Sequence, residues 1–217
     1  MPAVDLATLT DTVFFCDPSG GKDTIKRARA RSAIVGVAQD DDARIFVLHA
    51  WAARVKAGTL LEKILEVNEE FRPRRFGIEA NAMQVLFTDL VRREARFRET
   101  RLSLYPVQQP TRVDKFFRLR STLQPVIGFG RLFVQAHQVE LKEELRAFPM
   151  GETVDLVDAL ASAVELLPRK AGAGDRAKDD EVRYEEYLRE VGCAGLEDDG
   201  APKRVRPGDP RWRGWRR

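Results

Sequence analysis

The sequence predicts an α/β fold in which three antiparallel strands are followed by parallel strands that alternate with helices, giving a mixed sheet flanked by helices. The first observation is a set of three apolar, β-branched and aromatic segments at 12–17, 32–39 and 44–52. The second is a change of period after residue 58, where apolar residues take helical spacing and short strands recur between the helices. The 217 residues suffice for one such domain with an appendage.

The second half of the pattern begins with a helix for which Thr59 and Glu62 have the spacing of a capping box, and Pro73 ends that segment. A strand follows at 75–81, and then a helix at 82–98 whose Leu86 and Leu90 are expected to face inward. The remaining elements are predicted as strands at 101–107 and 130–135 and helices at 113–124, 138–148 and 153–167.

The composition changes after Pro168, which places the folded domain at 1–168. Residues 169–217 are predicted to form a linker, a charged helix and a mobile basic tail. Residues 203–217 contain seven lysines or arginines and one aspartate, so their net charge is +6. The net charge of the whole chain is +3, so the remaining residues are net negative. Such a tail is typical of a nucleic-acid or acidic-protein partner, and equally of a solvated terminus.

Several classes of protein are disfavoured by composition. No apolar run is long enough to span a membrane, and the first residues lack the pattern of a secretory signal. Two distant cysteines, Cys16 and Cys193, and two histidines do not suggest a disulfide framework, a thiolate zinc site or a histidine-rich metal site. A bound metal would therefore need carboxylate ligands.

Carboxylates emerge from apolar elements at three places. Asp17 ends the first strand, Glu79 lies within a short apolar strand, and Asp155 and Asp158 share the polar stripe of the last, otherwise apolar helix. Each has an ordinary structural alternative: a turn cap for Asp17, a water-facing edge position for Glu79, and a dipole-favoured helix N-terminus for the two aspartates.

Carboxylates gathered in one cleft repel one another unless a cation compensates their charge. Mg²⁺ takes oxygen ligands and keeps several waters, and two such ions about 3.5–4 Å apart stabilise the attacking and leaving oxygens of a phosphodiester. An order of strand aspartate, strand glutamate and helix aspartate is compatible with that chemistry without histidine or cysteine.

Four segments, in this order, resemble the C-terminal nuclease domain of bacteriophage terminase large subunits, the DNA-packaging motors, which has an RNase H-like fold. They are FFCDPSGG at 14–21, GIEAN at 77–81, TRVDKFFRLRSTLQP at 111–125 with GRLFV at 130–134, and VDLVDALASAV at 154–164. The resemblance implies Asp17, Glu79 and Asp155 as catalytic metal ligands, with Asp158 as an additional ligand. Val154 occupies the first of two adjacent positions that are often both aspartate in the family.

The resemblance also implies Mg²⁺ or Mn²⁺ as cofactor, two ions in number, and double-stranded DNA as substrate, cut endonucleolytically as concatemers are packaged. The implied partners are a terminase ATPase domain or small subunit and the portal protein, in the cytoplasm of an infected bacterial host and away from membranes. The segment PSGGKDT lacks the spacing of a P-loop, so no ATPase site is expected in this chain.

Basic side chains suitable for phosphate contacts occur in two segments. The candidates are Lys22, Lys26, Arg27, Lys115 and Arg118. Solvated surface charge is the alternative for each. Two rival functions are a resolvase- or transposase-type nuclease of the same fold and an inactive DNA- or portal-binding packaging module.

Overall fold

A computed structural model describes residues 9, 11–18, 31–80, 84–109 and 114–168. The described strands are β1 (Asp11–Asp17), β2 (Ser32–Gln39), β3 (Ile45–Ala53), β4 (Arg75–Glu79), β5 (Leu104–Val107) and β6 (Leu132–Phe133). The described helices are α1 (Ala57–Phe71), α2 (Gln84–Phe97), α3 (Lys115–Gly128), α4 (Val139–Ala147) and α5 (Asp155–Glu165).

The six strands form one mixed sheet in the order β5-β4-β1-β2-β3-β6. Strands β1, β2 and β3 are antiparallel neighbours, whereas β4 is parallel to β1 and β5 is parallel to β4. Strand β6 adds two residues parallel to β3 at the opposite edge. Three antiparallel strands followed by parallel ones is the sheet that the sequence predicts, so that prediction is confirmed.

Two apolar layers form because successive side chains of a strand point to opposite faces of the sheet. On β1, Val13 and Phe15 pack in the layer that contains α3, α4 and α5, whereas Phe14 and Cys16 pack in the layer with α1 and α2. All four are fully buried. Gly36 on β2 leaves room for the Phe14 ring, since a Cβ at that position would lie 2.1 Å from Phe14 Cζ.

Most helix boundaries lie within two residues of the sequence predictions, but the start of α1 and the end of α3 have a different basis. Helix α1 begins at Ala57, after Lys56, so Thr59 lies inside its first turn and the predicted capping box is wrong. Helix α3 continues to Gly128 through Pro125, beyond the predicted end at 124. The tertiary packing of Leu119 and Leu123 against the sheet face holds this helix, although proline disfavours a helix interior.

The orientation of α2 also differs from the prediction. Leu86 and Leu90 are 76% and 47% exposed, whereas Thr88, Val91 and Ala95 are buried. The inward face is therefore the narrow stripe of small and branched residues, one helical turn apart, that contacts the layer around α1. The predicted inward position of the two leucines is wrong.

Several sequence predictions lie outside the described residues. They include the basic segment at 19–30 and the linker, charged helix and tail at 169–217. The chain divides into two units between Pro168 and Arg169, and the second lies outside the described residues. No helix among the described residues is long and apolar enough to cross a membrane.

Candidate active site

Asp17 and Glu79 are the last residues of two neighbouring parallel strands, β1 and β4. Cys16 is paired with Ile78 in the two parallel strands. Asp17 and Glu79 are the next residue of each strand, so they lie side by side at the same end of the sheet. After burial, the hydrogen bonding and the negative charge of Glu79 are the next causes that raise the pKa of the Asp17 carboxyl group. Two neighbouring acidic groups need either a shared proton or a compensating cation. The structure therefore brings together two of the site residues that the sequence suggested.

The carboxyl group of Asp17 has a pKa raised well above its ordinary value. Burial is the largest cause, followed by the hydrogen bond and the negative charge of Glu79, and then by the charge of Asp158. The positive charge of Lys115 opposes the shift. The buried Cys16 thiol next to them has a raised pKa because of burial first and the charges of Asp17 and Glu79 second. Negative charge is concentrated at this end of the sheet.

Helix α5 crosses the face of the sheet that contains Phe15, because nearly all of its surface is apolar and buried, from Leu156 to Ala163. Asp158 belongs to this buried set and is only 6% exposed. Two cations from α3 compensate its charge. The Lys115 Nζ lies 2.5 Å from Asp158 Oδ2, and the Arg118 guanidinium donates to Asp158 Oδ1. A buried carboxylate without such partners would be costly.

The two cations differ in how firmly the protein holds them. Arg118 is 11% exposed and also contacts Ser162 Oγ at 3.3 Å and Glu165 Oε2 at 3.4 Å. Lys115 is 47% exposed, and Asp158 is the one carboxylate that pairs with it within 4 Å among the described residues. Partial burial opposes charging of Lys115, but attraction to Asp158 and to Asp17 and Asp155 raises the pKa of its ammonium group.

Asp155 lies one turn before Asp158 and has a different partner. Its Oδ2 accepts a hydrogen bond from Arg31 Nε at 3.2 Å. The same guanidinium pairs with Glu140, and its Nη2 lies 2.5 Å from Glu144 Oε1 on α4. The charge of Asp155 still acts on Lys115. Asp158 and Asp155 therefore have separate cationic partners, Lys115 with Arg118 for Asp158 and Arg31 for Asp155.

Sequence reasoning missed Glu144. This side chain is buried, and its Oε2 accepts hydrogen bonds from the backbone N–H groups of Leu156 at 2.9 Å and Val157 at 3.2 Å. Helix α5 is preceded by Val154, which has no side-chain cap to offer. Because the N-cap position of α5 holds Val154 and not Ser, Thr, Asp or Asn, the sequence indicates that an acceptor for the first N–H groups of the helix must come from elsewhere in the chain.

The donor chemistry fits a divalent metal ion. Asp17 and Glu79 supply oxygen ligands of the kind that Mg²⁺ and Mn²⁺ take, and Mg²⁺ is often bound by one or two carboxylates together with waters and substrate phosphates. Within the described part of the chain, no group of three or more acidic, histidine or cysteine side chains is arranged to hold a metal. The third and fourth carboxylates are instead engaged by Lys115 and Arg118 and by Arg31.

Two of the five basic residues predicted to contact phosphate are among the described residues. Lys115 and Arg118 lie at the site, whereas Lys22, Lys26 and Arg27 lie outside the described residues.

The topology described above is that of an RNase H-like fold. Similar solved structures include the large terminase nuclease from thermophilic phage G20c, 16% identical over 73% of this chain and 83% of that one, with a TM-score of 0.49. The P22 large terminase nuclease domain is 12% identical over 73% and 87% of the two chains, with a TM-score of 0.44.

The similar structures also include T. thermophilus RuvC in complex with a Holliday junction substrate, 16% identical over 70% of this chain and 90% of that one, with a TM-score of 0.42. Similarity at these identities concerns the fold alone. No protein-family model matches the chain, and no curated protein matches it either.

Proposed function

We propose that this chain is a metal-dependent endonuclease that cuts double-stranded DNA. The observation that carries the proposal is the position of Asp17 and Glu79 at the ends of adjacent parallel strands, where the charge of the buried Asp158 also acts on Asp17. Such a concentration of oxygen ligands is suited to a hard divalent cation. A perturbed carboxyl group next to further carboxylates and a lysine is also typical of functional sites.

Asp17 and Glu79 would hold Mg²⁺ or Mn²⁺, with Asp158, whose charge acts on Asp17, as the third carboxylate and Asp155 as the fourth. The metal, when bound, supplies Lewis acidity toward the phosphodiester oxygens and toward water, and two ions would share that task. Because Asp158 is buried, its negative charge needs a cationic partner. Arg118, held by Ser162 and Glu165, keeps that side chain in place.

Lys115 is suited to neutralising a substrate phosphate because its ammonium group is half-exposed at the edge of the carboxylate cluster. Lysine and arginine contacts to phosphate supply most non-specific affinity for DNA. The duplex would thus be held by its backbone, which carries no sequence information. We propose Lys22, Lys26 and Arg27 as further backbone contacts on the basis of their charge and their place in the sequence.

The biological setting follows from the sequence resemblance to terminase large subunits. In that setting the chain cuts concatemeric DNA during genome packaging and works with a terminase ATPase domain or small subunit and with the portal protein, in the infected host cell. The order of the four matching segments supports this setting over the resolvase alternative.

The test is cleavage of supercoiled plasmid, linear duplex and a four-way junction by the purified 217-residue chain in Mg²⁺, Mn²⁺ or a chelator. We expect plasmid and duplex to be cut in either metal and not in the chelator. Asp17→Asn and Glu79→Gln should each abolish cutting, because each removes ligand charge with little change of volume. Asp89→Asn is the matched control, since Asp89 is an exposed carboxylate on α2.

Cleavage restricted to the four-way junction would replace the packaging function with that of a resolvase. Binding of DNA without cleavage in any metal would favour an inactive packaging module.

A further inference from the structure

Lys115 occupies a position where its charge acts on three carboxylates of the site at once. Its Nζ lies 2.5 Å from Asp158 Oδ2, and the charges of Asp17 and Asp155 also act on it. A divalent cation bound by Asp17 and Glu79 would have to share this cluster with the ammonium group. Two cations in one cleft repel each other, and the effect is large where the surroundings are partly buried.

We propose that Lys115 is an exchangeable internal cation: it neutralises Asp158 while the site holds no metal, leaves when the metal binds, and is then free to contact the DNA phosphate. This inference rests on the proposed function, since it takes the metal site from there. It adds a positioning residue that couples metal binding to DNA binding through a single side chain.

The contrast with Arg118 supports this exchange. Both cations pair with Asp158, but Arg118 is nearly buried and also contacts Ser162 and Glu165. Lys115 is 47% exposed, and its flexible stem starts at the first residue of α3. Arg118 therefore stays with Asp158 when the charge of the site changes, whereas the Lys115 ammonium group can move into solvent while Arg118 still compensates the buried Asp158.

The exchange predicts effects of opposite sign on the two ligands. The Lys115→Gln substitution removes a positive charge that repels the metal ion and would also attract a DNA phosphate. The variant should bind Mn²⁺ in the absence of DNA more tightly, by about fivefold for one unit charge at the edge of a hydrated site. It should bind duplex DNA more weakly. A lysine that served the phosphate alone would weaken DNA binding and leave metal affinity unchanged.

The first measurement is calorimetric titration of Mn²⁺ into the full chain without DNA, for the wild type, Lys115→Gln and Lys115→Arg. Lys115→Arg keeps the charge and should bind Mn²⁺ no more tightly than the wild type. Lys63→Gln is the matched control, because Lys63 also pairs with a carboxylate, Glu66 at 2.7 Å, but lies on α1 across the sheet.

The second measurement is the rate at which an amine-acylating reagent labels Lys115 in the wild type, read by mass spectrometry of peptides. Addition of Mn²⁺ should raise labelling of Lys115 and leave Lys63 unchanged, and a short duplex added with Mn²⁺ should protect Lys115 again. Equal Mn²⁺ affinity of wild type and Lys115→Gln, or Lys115 labelling that Mn²⁺ leaves unchanged or lowers, overturns the exchange while the proposed nuclease stands. Failure of both forms to bind Mn²⁺ overturns the exchange and the metal site together.

Discussion

The carboxylate of Glu144 on α4 caps the helix that carries the aspartates of the site, because its Oε2 accepts a hydrogen bond from the Leu156 backbone N–H at 2.9 Å. The same side chain also accepts from Val157 N–H and from Thr153 Oγ1. Arg31 completes the arrangement by pairing with both Glu144 and Asp155. The start of α5 is thus fixed by Glu144 from another helix and by Arg31, the residue that precedes β2.

Glu144→Ala should lower the free energy of unfolding by about 1–3 kcal/mol, because it leaves the N–H groups at the start of α5 without an acceptor in a buried place. Glu144→Gln should lose less, since the amide oxygen still accepts hydrogen bonds. Urea denaturation measures both. Glu143→Ala, an exposed neighbour on the same helix, is the control and should change little. Equal losses for Glu143→Ala and Glu144→Ala would contradict the capping role.

Asp17→Asn should stabilise the folded protein at neutral and basic pH. Burial and the neighbouring carboxylates raise the pKa of Asp17, so folding favours its protonated form. The charged form costs folding free energy above the raised pKa, and that cost disappears as the pH falls below the ordinary pKa of an aspartate. Thermal unfolding should therefore show a larger gain for Asp17→Asn at pH 8 than at pH 4. A destabilised variant at pH 8 would refute this electrostatic description of the site.

Asp155→Asn and Asp158→Asn should differ in their effect on cleavage. The sequence resemblance favours Asp155 as the principal third ligand, whereas the geometry favours Asp158, whose charge acts on Asp17 and which lies between Lys115 and Arg118. We expect Asp158→Asn to lower single-turnover cleavage by about 10²-fold or more, as loss of a catalytic electrostatic group does, and Asp155→Asn to lower it less. The reverse order of activities would return the third ligand to Asp155.

The stability of the protein should fall as the pH is lowered from about 6.5 to about 4 because of His49. Burial, and then the charge of Lys63, lower the pKa of this imidazole from 6.5 to about 4, and its Nε2 has no hydrogen-bond partner among the residues that the structure describes. Between these two pH values His49 is protonated in the unfolded chain but neutral in the folded protein, so acidification favours unfolding. His49→Phe, placed beside the rings of Phe14 and Phe71, should lose less stability between pH 7 and pH 5 in urea titrations. An identical loss in the two proteins would exclude His49 as the source.

Removal of residues 203–217 should weaken DNA binding without changing the chemistry. The segment carries +6, and each phosphate that a protein neutralises contributes about −0.9 to the slope of log K against log salt for duplex DNA. Fluorescence anisotropy at several salt concentrations should give a shallower slope for the truncated chain, and cleavage at saturating DNA should be retained. An unchanged slope would assign the tail to a protein partner or to no partner.

Local patterns in the sequence determined much of the fold and predicted that some of the carboxylates would lie together. Short runs of apolar, β-branched and aromatic residues predicted β1, β2 and β3, and apolar residues at helical spacing predicted the later helices, because such runs and such a period suit the two backbone geometries. The proximity of Asp17 and Glu79 could be predicted because each ends or nearly ends a short apolar strand, and parallel neighbours bring such ends to one edge of the sheet.

Tertiary packing decided the rest. Leu86 and Leu90 looked like an inward face of α2, but the close fit of Thr88, Val91 and Ala95 against the sheet layer set the rotation of the helix. Asp155 and Asp158 lie on the same polar stripe of α5, so the sequence alone does not show which basic residue pairs with which aspartate. The packing of α5 against the rest of the fold determines the pairing. The partners, Arg31 with Asp155 and Arg118 with Asp158, lie 124 and 40 residues away, and no local period relates residues at such separations.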